Sequence, residues 1–248
     1  MSRQAQAVIM LLLGGAVLRI SLTGTHQRYV KPSLGPYLVA AGAVLVATAI
    51  MTLWFELRGD RAPGGAGTSD RVEHEHDGAS HREPRVAWLL VLQVIALLLF
   101  APPALGSYAA NRAGTALQTQ DGSSDFPKLP AGDPVKISML DYASRAVFDD
   151  GKSLVGHRVQ LKGFVLDRPG GTPYLARMIM TCCAADARPI KVALTGAVPP
   201  GLKPDTWLEV IGTYIDKRDK DPVNGETIPY LDVSEANEVA APAEPYET

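Results

Sequence analysis

Hydrophobic positions along this chain fall into two regimes. Up to about residue 106 they come in long, nearly unbroken runs; beyond it they alternate with polar residues over short stretches. Ala5–Leu22 is apolar apart from Gln6, Arg19 and Ser21, Tyr37–Leu57 is the cleanest run, and a third begins at Val86 and extends to about Gly106, with Pro102-Pro103 as breakers. A bilayer crossing needs about 20 such residues, so the pattern predicts three transmembrane helices, at about 5–22, 37–57 and 86–106. Arg3 precedes the first run as it would in a signal peptide, yet no small-x-small cleavage site follows Leu22, which favours a retained helix. Arg19, close to the end of that run, is placed to snorkel to the interface. In the second run Ala40, Ala41, Gly42, Ala43 and Ala47 leave room for another helix to approach closely. Trp54 and Trp88 stand near span ends, where indoles favour the membrane interface.

The second regime predicts a soluble domain. Ser138-Met-Leu-Asp141 has the form of a capping box with Asp in the place of Glu or Gln, and Leu140, Ala143 and Val147 mark one face of a helix ending near Gly151. Strand patterns follow at Arg158–Leu166, Tyr174–Cys182, Pro189–Leu194, Trp207–Ile215 and Pro229–Val233, with glycines at 163, 170, 171, 201 and 212 supplying bends and turns. Five short strands after a helix point to a small OB-like barrel. The expected fold class is α+β: three N-terminal transmembrane helices (1–106, with a polar linker at 58–85), a linker at 107–134, an OB-like β domain at 135–240 with its preceding helix, and an acidic tail at 241–248.

Charge adds an orientation. Arg3, Arg58, Arg61, Arg71, Arg82 and Arg85 fall on one side of a three-span arrangement, and Arg28, Lys31 and Arg112 on the other. The positive-inside rule then puts the N-terminus and the 58–85 linker in the cytoplasm and the C-terminal domain outside a multi-pass cell-membrane protein. The formal net charge of −2 and the acidic tail offer no basic groove for nucleic acid.

Candidate chemistry concentrates in Tyr174–Ala187. It holds the only two cysteines, Cys182 and Cys183, followed by Asp186. In a strand, Met178, Met180 and Cys182 share one face and Cys183 takes the other, so both thiols serve one site only where the strand ends or bulges. Thiolates and thioethers are soft ligands, which makes zinc or copper the candidate ions at Cys182, Cys183 and Asp186, with His157 as a distant further donor. The alternative readings are core packing for the methionines and cysteines, and a vicinal disulfide, for which a trans peptide holds the Cα atoms too close. The linker carries His74, His76 and His81 among carboxylates, a weaker metal-sensing possibility in a glycine-rich, flexible setting. No nucleotide-binding glycine loop and no paired nucleophile and base are visible, so an enzyme is not expected.

Several segments together resemble the small subunit of a two-component membrane permease complex, an uncharacterised family of bacterial membrane proteins: Pro103-Ala-Leu-Gly-Ser-Tyr108, Ser153–Val165, Leu175-Ala-Arg-Met178, Cys182-Cys-Ala-Ala-Asp-Ala187, Trp207–Gly212 and Pro245-Tyr-Glu247. The resemblance implies pairing with a larger multi-span permease subunit in the lipid bilayer, and a histidine-rich segment between the second and third helices. It implies no catalytic residue. The expected function is a non-catalytic membrane subunit presenting an extracytoplasmic barrel; the alternative is a thiol- or soft-metal-handling membrane protein acting through Cys182 and Cys183.

Overall fold

The computed structural model describes residues 3–59, 92, 103–117, 126–168 and 171–247. Two compact units are present: residues 1–26 with 32–102, and residues 27–31 with 103–248.

In the first unit, helices α1 (Arg3–Leu22) and α2 (Gly35–Gly59) pack together. The small-residue stripe does what its composition predicts at Gly42, where a Cβ would lie 2.9 Å from Leu18 Cγ and 3.2 Å from the Gly14 carbonyl oxygen. Among the described residues one helix, over Pro32–Phe55, is long and apolar enough to cross a membrane. This corrects the expectation of three. The apolar stretch of the first helix, Gln6–Leu22, is shorter than the 18 residues such a span requires. The span expected at 86–106 lies outside the described residues except for Leu92 and 103–106, and so do His74, His76 and His81.

The second unit holds α3 (Ser107–Arg112), β1 (Val135–Lys136), α4 (Met139–Phe148) and strands β2 (Arg158–Leu166), β3 (Tyr174–Ile179), β4 (Arg188–Gly196), β5 (Trp207–Lys220), β6 (Thr227–Glu238) and β7 (Tyr246–Glu247). Strand β2 pairs antiparallel with β3 and with β5, β3 antiparallel with β4, β4 parallel with β6, and β6 antiparallel with β5. These five strands close into a barrel, in the order β2-β3-β4-β6-β5 and back to β2. The short β1 and β7 extend it by parallel pairing to β2 and β3. The five strands are the five that alternation predicts, with β5 and β6 longer than expected and β3 ending at Ile179 rather than Cys182.

Inside the barrel, Leu161, Val192, Leu194, Val210 and Leu231 form one apolar cluster with Met139, Tyr142, Ala143 and Ala146 of α4. Burial of this kind stabilises by roughly 25 cal/mol per Å² of apolar surface, and it sets α4 across the barrel. Closure demands close backbone approach at Gly163, where a Cβ would lie 2.6 Å from the Ala176 carbonyl oxygen. At Gly212, where the β5–β6 register shifts, a Cβ would strike the Asp232 carbonyl.

Ser138 caps α4 as expected, its hydroxyl accepting from Asp141 N at 3.0 Å. Asp141 does not complete a capping box; it pairs with Arg145 at 2.8 Å. The remaining amides of the first turn, Met139 N and Leu140 N, donate to the Glu247 carboxylate at 3.0 and 3.2 Å. The core face of α4 also differs by one position from expectation: Met139, Tyr142, Ala143 and Ala146 are buried, and Leu140 is exposed.

Candidate functional site

The Cys-Cys turn follows directly from where β3 ends. Met178 and Met180 are buried, in an apolar cluster with Phe164, Ala176 and Tyr246, so both methionines are core residues. The chain then leaves the strand, and Ala184–Asp186 forms a single 3-10 turn with Cys183 at its N-cap. Cys182 is exposed and Cys183 half-buried, and both are free thiols. This separates Cys182 from the methionine face it would share in a continuous strand.

Asp186 organises the turn. Its Oδ1 accepts from Thr181 N at 3.0 Å, and its Oδ2 from Cys182 N at 2.8 Å and Cys183 N at 3.4 Å. The Cys182 thiol also bonds to this carboxylate, which holds Asp186 below the ordinary carboxyl range, helped by the three amides. The same bond, followed by one to Cys183, pushes the Cys182 thiol up to about 11. At neutral pH it is therefore a thiol and not a thiolate, and so a poor nucleophile.

A second strand of support comes from far away in sequence. Residues 27–31 lie alongside the turn: Lys31 N donates to the Cys182 carbonyl at 3.1 Å and Ala184 N to the Tyr29 carbonyl at 2.8 Å, with Val30 opposite Cys183 in an antiparallel bridge. The Tyr246 hydroxyl donates to the Arg28 carbonyl and accepts from Leu105 N, both at 3.0 Å. The side chains of Cys182, Cys183 and Asp186 converge, with sulfur and carboxylate atoms all within 4.8 Å of one another. His157 is exposed and outside this group.

Other features lie where periodicity carries no signal. A groove of 810 Å³ is lined by Pro103–Ala109 with Phe164, Asp205 and Trp207. Asp205 accepts from Ser107 N at 2.6 Å and from its hydroxyl at 2.7 Å, and a Cβ on Gly106 would collide with that carboxylate. Arg177 is buried, lies 4.9 Å from the Trp207 ring centre and donates to the Glu244 carbonyl at 2.8 Å. Lys191 and Asp221 form a buried ion pair at 2.9 Å, to which Thr115 N and the Ala113 carbonyl also bond. Residues 103–108, Phe164, Arg177 and Trp207 stand in segments that bear the family resemblance, and that was the available signal for them; Lys191 and Asp221 stand in none.

The N-terminal domain of the DUF1980 family matches residues 5–116, and its C-terminal domain matches residues 133–247. No curated protein and no solved structure matches the chain.

Proposed function

The chain belongs to the DUF1980 family through both of that family's domains, and from this premise we propose a non-catalytic membrane subunit that presents an OB-like domain on the extracytoplasmic face of the cell membrane. One observation carries the reading. Residues 27–31, the loop between the first two apolar helices, are hydrogen-bonded into the barrel domain through Cys182, Ala184 and Tyr246. The chain leaves this domain at Lys31 and returns at Pro103, and both ends belong to one folded body, so any membrane crossings between them are even in number. On this proposal helix α2 is one crossing, and the apolar composition of 86–106 favours that run as the return. The excess of arginine at positions 58, 61, 71, 82 and 85 assigns the opposite face to the cytoplasm.

The OB-like description rests on strand order: three consecutive antiparallel strands, the third parallel to the fifth, and the fourth closing between the fifth and the first. The non-catalytic description rests on how polar groups are used. Asp205 and Glu247 hold helix N-termini, Lys191 and Asp221 neutralise each other, and the exposed Cys182 is held protonated. Pairing with a larger multi-span permease subunit is supported by the resemblance of the segments at 103–108, 182–187 and 245–247. Convergence of Cys182, Cys183 and Asp186 favours a second reading, in which the same subunit handles a thiophilic metal.

A topology reporter fused after Thr248 should be active only in its extracytoplasmic form. An intact fusion active in the cytoplasm would overturn the assignment.

A further inference from the structure

We infer that Cys182, Cys183 and Asp186 form a zinc site with three protein ligands and an open fourth position. The reaching atoms lie within 4.8 Å of one another. Donors on a tetrahedral zinc lie about 3.6–3.8 Å apart, given Zn–S near 2.3 Å and Zn–O near 2.0–2.2 Å, so the set must draw in by up to roughly an ångström, and the exposed Cys182 side chain is free to rotate toward the other two. The 3-10 turn is what lets two adjacent side chains serve one ion, since in a continuous strand they would diverge.

Cys183 has one structural role, closing a capping box with Asp186, and Cys182 has none in the core. Cys183 occupies an N-cap, where the oxygens of Ser, Thr, Asp or Asn accept far better than sulfur. Cys182 is exposed and adds nothing to the core. Asp186 is oriented by Thr181 N, Cys182 N and Cys183 N, which occupy three of its four acceptor positions; the fourth, taken by the Cys182 thiol, is freed for a metal when that thiol gives up its proton. Backbone amides holding a ligand carboxylate are what a metal site's outer shell supplies. The bridge to Tyr29, Val30 and Lys31 braces the turn from the other side.

The mixed donor set selects the ion. Two thiolates alone suit copper(I), whereas a carboxylate oxygen beside them suits zinc. On binding, the ion takes the place of the thiol protons, which pass to solvent; no electron is transferred. Three protein ligands and one open position describe a site that can exchange its metal with water or another protein's donor, unlike the closed four-ligand sites that hold folds together.

The test is titration of the detergent-solubilised full chain with Zn²⁺ against a chromophoric chelator, together with Cd²⁺ and its thiolate charge-transfer absorption. The expected result is one ion per chain with a sulfur-to-cadmium band. Cys182→Ser, which alters an exposed side chain, should weaken Zn²⁺ binding by on the order of 10–100-fold. Asp186→Asn should weaken zinc and leave copper(I) unaffected. A variant with His74, His76 and His81 all changed to Ala should keep the cadmium band. Unchanged zinc affinity in Cys182→Ser, absence of the band, or binding of copper(I) alone would each overturn the site. None of these outcomes bears on which face of the membrane the domain occupies, which the reporter fusion tests separately.

Discussion

Lys191→Met should destabilise the barrel domain by about 3–5 kcal/mol, measured by chemical denaturation of the full chain in detergent. The Lys191 side chain is 3% exposed and that of Asp221 is 0% exposed, and their 2.9 Å contact lies wholly inside the fold. Methionine matches the length of lysine, so the loss is electrostatic rather than a cavity. Asp221 would keep only Thr115 N and Val223 N, each at 2.8 Å, as partners for a full buried charge. The two amides help but do not neutralise it. Adding Asp221→Asn removes the stranded charge and should recover part of the loss. A stability change within about 0.5 kcal/mol for Lys191→Met, the range of an ordinary surface substitution, would show that the pair is not buried.

A fragment beginning at Asp133 should be less stable than one beginning at Pro103 by about 4–6 kcal/mol, even though the matched C-terminal domain begins at residue 133. Deleting 103–117 takes Leu117 out of the main apolar cluster and Ala110 out of the second. A buried leucine contributes about 2–5 kcal/mol. Deletion also removes the Ala113 carbonyl from Lys191, Thr115 N from Asp221 and the 2.8 Å bond from Ala116 N to the Pro189 carbonyl. Bonds to charged groups contribute about 1.5–3 kcal/mol each. Since whole domains are stable by only about 5–15 kcal/mol, the shorter fragment should show loss of cooperative unfolding by circular dichroism and the longer one should retain it. Equal unfolding midpoints would contradict the packing of this segment.

What could be read from sequence was whatever repeats locally. Alternation in 158–166 and 207–215 exposes strands because each has one face on the barrel core, and Ser138 marks a helix start because capping involves residues three apart. The Cys-Cys pair stood out by composition, and the end of β3 before it is where two adjacent side chains can converge. What could not be read is contact between distant segments that carry no period. Residues 27–31 look like a loop, and nothing local says that Tyr29 and Lys31 bond to a turn at 182–184. Residues 107–117 and 241–247 read as linker and tail because they are polar and short, yet Thr115, Tyr246 and Glu247 each make at least two long-range hydrogen bonds. Leu140 was assigned to the wrong face of α4 because a ten-residue helix fits two neighbouring apolar faces almost equally well.

The body formed by residues 27–31 and the barrel is tested most directly by a disulfide between its two parts. Val30 and Cys183 face each other as a non-hydrogen-bonded antiparallel pair, flanked by the bonds of Lys31 to Cys182 and Ala184 to Tyr29. Such pairs bring Cα atoms to about 4.5 Å, inside the roughly 4.4–6.8 Å that disulfides accept. In the Val30→Cys variant, treated in intact cells with a membrane-impermeant oxidant, peptide mapping should find position 30 linked to Cys183 within one chain. If position 30 stays reduced beside an accessible Cys183, the loop and the barrel do not form one body; if the link forms only after the membrane is opened, the body they form faces the cytoplasm.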